Sequence, residues 1–339
     1  MIKLAIDAMG GDVAPEIPVK AAMMAIKEFP DLELVLYGDE NQIKAYLSND
    51  ERITIVHTPR VIEMGESDPI SEIRRNKDTS LVMAFTSVKN KEVEGVVTAG
   101  PTQGVIVASH LVIRRLKGMK RVALCPNVPS LKETGAIMLD VGANTTISAA
   151  HMVQYAQFAH IYVQEVKGVL NPITYLLNIG TESGKGRDLE KEAFDLLSKS
   201  SLNFHGNLEP KELLTSNADI IITDGYTGNI AMKTFEGTAK VFGQVLKEEI
   251  ASSLGGKLGY LLMRRNLKRF KNRFSADEVG GAAVFGVDGV VIKAHGASNT
   301  YAFKNAIKLA RRTVAGKVID KMKEYLEKHP FEELEGNDV

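Results

Sequence analysis

The segment Ala218–Lys233, ADIIITDGYTGNIAMK, closes a continuous apolar run with Thr-Asp-Gly and passes at once into a helical pattern. A strand that delivers a glycine turn onto a helix N-terminus forms an anion site, because backbone N–H groups and the positive end of the helix dipole face the turn. Here Asp224-Gly225-Tyr226-Thr227-Gly228-Asn229 supplies a carboxylate, two glycines, a hydroxyl and an amide. A well-capped helix after an ordinary loop accounts for the same residues, so other loops must decide. They are of the same kind: Asp7-Ala8-Met9-Gly10-Gly11-Asp12, Ala99-Gly100-Pro101-Thr102-Gln103-Gly104, Gly142-Ala143-Asn144-Thr145-Thr146 and Ile179–Gly186. In a parallel sheet all five would converge on one edge.

The spacing excludes the common nucleotide loops. Three residues stand between Gly180 and Gly184 and a glycine follows Lys185, whereas a P-loop needs four residues between its glycines and Ser or Thr after its lysine. No G-x-G-x-x-G follows a strand. A lysine between glycines can instead come close to a small ligand, pairing with phosphate or stabilising an oxyanion; a solvated loop lysine is the plain alternative. Asp12 and Asn144 read equally as helix caps or as contacts. The histidines show no metal-ligand spacing, so no metal and no cofactor are expected. Cys125 follows the run Val122–Leu124 and reads as an inert thiol at the edge of the core.

The elements that carry these turns are short apolar runs alternating with helical patterns, which predicts βαβ units and a mostly parallel sheet. Strands are predicted near Lys3–Asp7, Leu32–Tyr37, Ile53–Val56, Gly95–Thr98, Val122–Cys125, Ile137–Val141, Thr174–Asn178, Asn203–His205, Asp219–Thr223 and Val290–Lys293. Helices are predicted over Pro15–Phe29, Thr102–Leu116, Ser148–Val166, Leu189–Ser200, Thr227–Ile250 and Asn299–Lys328. The stretch His57–Asn76 reads as a long loop, either a lid or a surface excursion.

With 339 residues, 44% hydrophobic and 25% charged, the chain has the makeup of a globular protein able to bury a sizeable core. Lysine plus arginine equal aspartate plus glutamate at 42 each, so nothing global suggests nucleic acid. One cysteine permits no internal disulfide and fits a reducing compartment. The N-terminus reads as a strand and turn rather than a signal peptide, and no apolar run approaches a membrane span.

Taken together, the motifs resemble the bacterial phosphate acyltransferases of phospholipid synthesis. The resemblance runs through AIDAMGGDVAP (Ala5–Pro15), LDVGAN (Leu139–Asn144), LNIGTESGKG (Leu177–Gly186), FHGNLEP (Phe204–Pro210), TDGYTGN (Thr223–Asn229), VGGAAVFGVDG (Val279–Gly289) and AHGAS (Ala294–Ser298). It implies a reaction in which inorganic phosphate attacks the thioester of acyl carrier protein, giving acyl-phosphate and free carrier. Such chemistry is positioning plus electrostatics and requires no covalent enzyme nucleophile. On this resemblance Lys185 and Asn229 would stabilise phosphate or the oxyanion. Gly10, Gly11, Gly225 and Gly228 would allow close backbone approach, and Asp7, Asp12, Asn144 and Asp224 would organise the pocket. His295 would donate a proton to the leaving thiolate; a hydrogen-bonded structural histidine is the other reading.

A second region, Ile250–Ala276, has no acidic residue and seven basic ones: Lys257, Arg264, Arg265, Lys268, Arg269, Lys271 and Arg273. Leu254, Leu258, Leu261, Leu262, Leu267, Phe270 and Phe274 largely recur at helical spacing, giving a basic amphipathic helix interrupted early by Gly255, Gly256 and Gly259. Leucines toward acyl chains and Arg264, Arg265 and Lys268 toward anionic head groups suit a membrane interface. Packing on the core or a partner, a solvated basic face, and docking of an acidic carrier protein are the competing readings.

The expectation is therefore a three-layer α/β fold of the phosphate acetyltransferase and isocitrate dehydrogenase group, one catalytic unit over residues 1–339 with 250–276 protruding. The resemblance adds a cytoplasmic homodimer attached peripherally to the membrane, passing acyl-phosphate to a membrane glycerol-3-phosphate acyltransferase. A short-chain acyl-coenzyme A:phosphate acyltransferase is the alternative enzyme, and a non-catalytic scaffold binding carrier protein at the membrane the alternative of another class.

Overall fold

The computed structural model describes residues 1–273 and 280–329, with side chains placed up to Phe270 and again from Gly280. The side chains of Lys271, Arg273 and Phe274 in the basic segment, and Val279, thus lie outside the described residues. Among the described residues the strands are β1 (Ile2–Asp7), β2 (Leu32–Gly38), β3 (Ile53–His57), β4 (Gly95–Thr98), β5 (Ala123–Val128), β6 (Ala136–Leu139), β7 (Thr174–Leu177), β8 (Phe204–Leu208), β9 (Ile220–Ile222), β10 (Ala282–Phe285) and β11 (Val290–Lys293). The helices are α1 (Glu16–Glu28), α2 (Glu40–Lys44), α3 (Pro69–Arg75), α4 (Ser80–Lys89), α5 (Thr102–Ala108), α6 (Ala149–Tyr162), α7 (Asp188–Lys199), α8 (Gly225–Ala251), α9 (Leu254–Arg273), α10 (Thr300–Ala315) and α11 (Val318–Lys328).

All the strands join one sheet in the order β3-β2-β1-β4-β11-β10-β5-β6-β9-β7-β8. Both faces are covered, so the strands are apolar on alternate residues in both directions. Leu4, Ile6, Ile220 and Ile222 meet Tyr155, Phe158 and Phe303 under α1, α6, α7, α10 and α11. Ala5, Val96, Ile221 and Val291 meet Leu81, Phe85 and Val105 under α4 and α5, with Ala231 and Met232 of α8 against the same cluster. The three layers are thus helices, sheet, helices.

Strand direction corrects one expectation. β1, β2, β3, β4 and β11 run parallel. The pairs β11–β10, β10–β5 and β5–β6 are antiparallel, after which β6, β9, β7 and β8 are again parallel. Three reversals leave the second group pointing opposite to the first. The turns after β1 and β4 therefore lie on one edge of the sheet, and those after β6, β7 and β9 on the other. The five glycine turns form two groups.

Several boundaries also shift. β10 was absent from the predicted strands, although Ala282–Phe285 is an apolar run bounded by Gly280-Gly281 and Gly286. The His57–Asn76 stretch holds α3, opened by Pro69 and capped by the Asp68 carboxylate on Ser71 N at 3.1 Å. The Thr102–Leu116 helix is α5 followed by a π-helical turn over Ser109–Ile113, ending at Arg114 with φ +78°. The C-terminal helix is two helices, because Lys317 takes φ +50° between them. α9 runs through Gly255, Gly256 and Gly259 without a break.

The start of α8 is seated on the turn after β6 by its two glycines. A Cβ on Gly228 would stand 2.0 Å from the Asp140 carbonyl oxygen, and one on Gly225 2.1 Å from that of Asn144. Beyond Met232 the helix leaves the sheet: Val241, Phe242, Val245 and Leu246 are exposed, as are Leu254, Leu258, Leu261 and Leu262 of α9. No helix among the described residues is long and apolar enough to cross a membrane. Gly228→Ala should lower stability in denaturant unfolding by about 1–3 kcal/mol, the scale of overpacking against rigid backbone. Wild-type stability would show that α8 is not held at this contact.

Candidate active site

β6, β9 and β7 lie side by side, and the turns after them meet the N-terminus of α8. The first turn is built around Asp140, which is fully buried. Its Oδ1 accepts from the N–H groups of Leu124 at 3.0 Å, Gly142 at 3.2 Å and Ala143 at 3.0 Å. Its Oδ2 accepts from Asn144 N at 2.8 Å and Asn144 Nδ2 at 2.9 Å. Burial raises the pKa of this carboxyl, with the Asn144, Ala143 and Leu124 donors opposing. Asp140 was missed from the sequence, although Asp before a glycine turn is the signature of a side chain bonding its own backbone a few residues on.

Asn144 serves the same cluster. Its Nδ2 also donates to Val122 O at 2.6 Å and meets Tyr155 Oη at 3.1 Å. It caps no helix, since α6 is capped by Ser148. Its Nδ2 is committed to the protein.

Asp224 caps α8, its Oδ1 accepting from Thr227 N at 2.8 Å and its Oδ2 from Thr227 Oγ1 at 2.9 Å. The same Oδ2 is ion-paired with Arg187, a residue not singled out from the sequence. Burial pushes the Asp224 carboxyl upward, but the bonds from Thr227 and Arg187 prevail and hold it below its usual value. Its contribution to stability is therefore present above the ordinary carboxylate pKa and lost as pH falls through the depressed one. Gly225 and Gly228 allow close approach of α8 to the Asn144 and Asp140 backbone.

The turn after β7 is pinned at several points. Asn178 Nδ2 donates to Lys185 O at 3.0 Å, and Asn207 Nδ2 to Glu182 O at 2.8 Å. Gly186 takes φ +91°, where a Cβ would strike Asn178 Oδ1. Arg187 then grips Glu190 of α7 through Nε at 3.0 Å and, through Nη2, the α8 cap. Lys185 stands between these pins with its side chain 51% exposed and its Nζ 3.8 Å from Glu182. Asn229, in the first turns of α8, is exposed and lies over Gly142, whose Cβ position is 2.7 Å from Asn229 Nδ2. This edge thus presents a cation and an amide at the positive end of a 27-residue helix.

Asp7, Gly10, Gly11, Asp12 and His295 are on the other edge, beyond the ends of β1, β4 and β11. Asp7 is buried, which raises its pKa, and accepts from Thr98 Oγ1 at 2.7 Å. Asp12 N donates to Gly296 O at 2.9 Å, and Asp12 does not cap α1, which begins after Pro15 without a side-chain cap. Gly10 and Gly11 line a small cavity with Ala99, Gly296 and Phe303. His295 Nδ1 accepts from Ala297 N at 3.1 Å. The turns that carry these residues follow strands of the first parallel group, whereas those that carry Lys185 and Asn229 follow strands of the second, which point the other way. Lys293, also unforeseen, is buried here; burial lowers its ammonium to about 8, with Lys233 of α8 adding and Asp12 opposing. Cys125 is buried, and burial raises its thiol far above the usual range.

The model of the fatty acid synthesis protein family matches residues 2–321. A phosphate acyltransferase of Acholeplasma laidlawii is 51% identical over 329 residues, covering 96% of this chain and 98% of that one. One from Staphylococcus epidermidis is 44% identical, covering 96% and 99%. Among solved structures, a phosphotransacetylase from Streptococcus pyogenes superposes with TM-score 0.60 at 15% identity, covering 94% of each chain. A branched-chain phosphotransacylase from Enterococcus faecalis gives 0.60 at 15%, covering 93% and 99%. These two share the fold.

The clamp at Arg187 is open to a direct test. Asp224→Asn keeps an N-cap acceptor but removes the charge facing Arg187. In that variant, and in Arg187→Ala, hydrogen exchange at Thr181–Gly186 should quicken about tenfold, and the double variant should go no further, as a coupled pair requires. Additive changes, or none, would show that the turn is held by something else.

Proposed function

The chain belongs to the fatty acid synthesis protein family, whose relatives above are phosphate acyltransferases, and we propose that this acyltransferase takes its acyl group from a carrier-protein thioester. The observation that carries the reading is the joining of Lys185 and Asn229 to one helix N-terminus, the first through the Arg187–Asp224 pair and the second directly.

Phosphate is partly dianionic at neutral pH and is itself the nucleophile. One of its oxygens bonds to the thioester carbon, a tetrahedral oxyanion forms, the C–S bond breaks, and the thiolate leaves to take a proton. The acyl-phosphate keeps the new C–O bond. The enzyme has to hold a dianion against a carbonyl and meet a second developing charge. The Lys185 ammonium pairs with phosphate, and the Asn229 amide donates to the oxyanion in the field of α8. Asp140, Asn144 and Asp224 hold these groups in place rather than touch the substrate.

Phospholipid synthesis is the setting that fits this product, with a membrane glycerol-3-phosphate acyltransferase as its consumer. An acyl-phosphate is a mixed anhydride on a lipophilic tail, so release at a membrane shortens its path. α9 supports that reading: Leu258, Leu261 and Leu262 are exposed at 63%, 67% and 84%, with Arg264, Arg265 and Lys268 on the same helix. A homodimer, cytoplasmic and peripherally attached, completes the proposal.

Lys185→Ala and Asn229→Ala should each lower phosphate-dependent acyl-phosphate formation at least about a hundredfold, the scale of a lost oxyanion donor, without changing unfolding. Near-normal turnover in either would remove that residue from the site. Replacing Leu258 and Leu262 together by Glu should release the protein from anionic vesicles in a flotation assay and leave turnover in solution intact. Undiminished flotation would overturn the membrane role of α9.

A further inference from the structure

Between Glu94 and Glu133 the chain has no acidic residue, yet five of the eight residues 114–121 are basic: Arg114, Arg115, Lys117, Lys120 and Arg121. This loop enters β5 and adjoins the candidate site. Val122 O, one residue past Arg121, is the acceptor for Asn144 Nδ2 at 2.6 Å and Tyr155 Oη at 3.1 Å. Leu124 N, two residues on, donates to Asp140. The loop is therefore fixed to the same cluster that seats α8.

It is also rigidly presented. Gln154 of α6 donates through Nε2 to Gly118 O at 2.9 Å and accepts from Lys120 N at 3.1 Å, and Arg115 Nη1 bonds Lys120 O. His151 lies three residues before Gln154 on the same face of α6, so it borders the loop. Arg114, Lys117 and Arg121 are exposed. Asp288 donates its N–H to the Arg114 carbonyl, but its carboxylate is already paired with Lys91 and Lys323 at 3.2 Å and 2.6 Å. His110 and His151 are both held below the ordinary imidazole value, by burial first and then by the charges of Arg115 and Arg121, as a shared positive field requires.

We propose that the basic loop 114–121 is the docking surface for the acidic protein that carries the acyl thioester, placing the thioester at the N-terminus of α8. This rests on the reading that the donor is carrier-bound. Charge complementarity selects the partner: a clustered, fixed positive surface steers and orients an acidic protein, and its effect falls with salt. The other basic surface, on α9, belongs to a helix whose leucines are exposed, whereas loop 114–121 is hydrogen-bonded to the cluster that seats α8.

The test compares two donors of one acyl chain, carrier protein and free pantetheine, with wild type and the doubly substituted Lys117→Glu/Arg121→Glu enzyme. The variant should show a KM for the carrier-bound donor raised at least about tenfold and a weaker dependence of that KM on NaCl, with turnover of the pantetheine thioester unchanged. That last readout also reports correct folding. An unchanged carrier KM, or one raised only by Arg264→Glu/Lys268→Glu, would overturn the docking surface while leaving the reaction in place. Wild type that uses the pantetheine thioester and not the carrier would reject the donor reading, and this surface with it.

Discussion

Asp140 collects backbone N–H groups from β5 and from its own turn, together with the Asn144 amide, around one buried carboxylate. A buried charge is tolerable only when its lone pairs are met, so each donor is fixed by the cost of leaving it. The consequence is geometric. The turn after β6 becomes a rigid saddle, Gly225 and Gly228 let α8 press onto it, and the helix dipole is aimed over Gly142. Asp224 and Arg187 then extend the order to the turn after β7. The groups proposed to act, Lys185 and Asn229, stay exposed on supports that are buried, which is the division of labour that electrostatic preorganisation needs.

Much of this was legible in the sequence because it is local. The apolar run before Thr223, the glycines after it and the helical pattern beyond belong to one continuous segment, and they form β9, the turn and α8 as read. The fold class followed from alternating strands and helices, and the family from motifs spread along the chain. The mostly parallel sheet was read, but its reversals were not, although the sequence held the signal for two of them. A parallel pair needs a crossover of a dozen or more residues, yet only Pro129–Gly135 separates β5 from β6, and Gly286–Gly289 separates β10 from β11. Those two links force two reversals; the third, between β10 and β5, pairs segments far apart in the chain, and it makes the number odd and sends the His295 turn to the far edge.

Side-chain pairing at a distance was the other gap. Arg187 and Asp224 are 37 residues apart, Leu124 and Asp140 are 16 apart, and no periodicity joins them. Asn144 looked like a cap or a contact because both roles use an exposed amide; its true partners, Val122 O and Tyr155, come from elements that only the fold brings together. The α8–α9 hairpin shows the reverse case. Its apolar and basic residues were plain in the sequence, and the structure leaves their leucines uncovered. Large exposed apolar patches are found at interaction surfaces and at aggregation-prone sites.

Everything proposed for the chemistry requires that phosphate be held at the N-terminus of α8 and not among the glycine turns of the opposite edge. A crystal structure of the enzyme with a non-hydrolysable acyl-phosphate analogue tests this most directly. The phosphoryl group is expected within hydrogen-bond reach of Asn229 Nδ2 and Lys185 Nζ. Density for that group beside Gly10, Gly11 and His295, with the α8 edge empty, would contradict it.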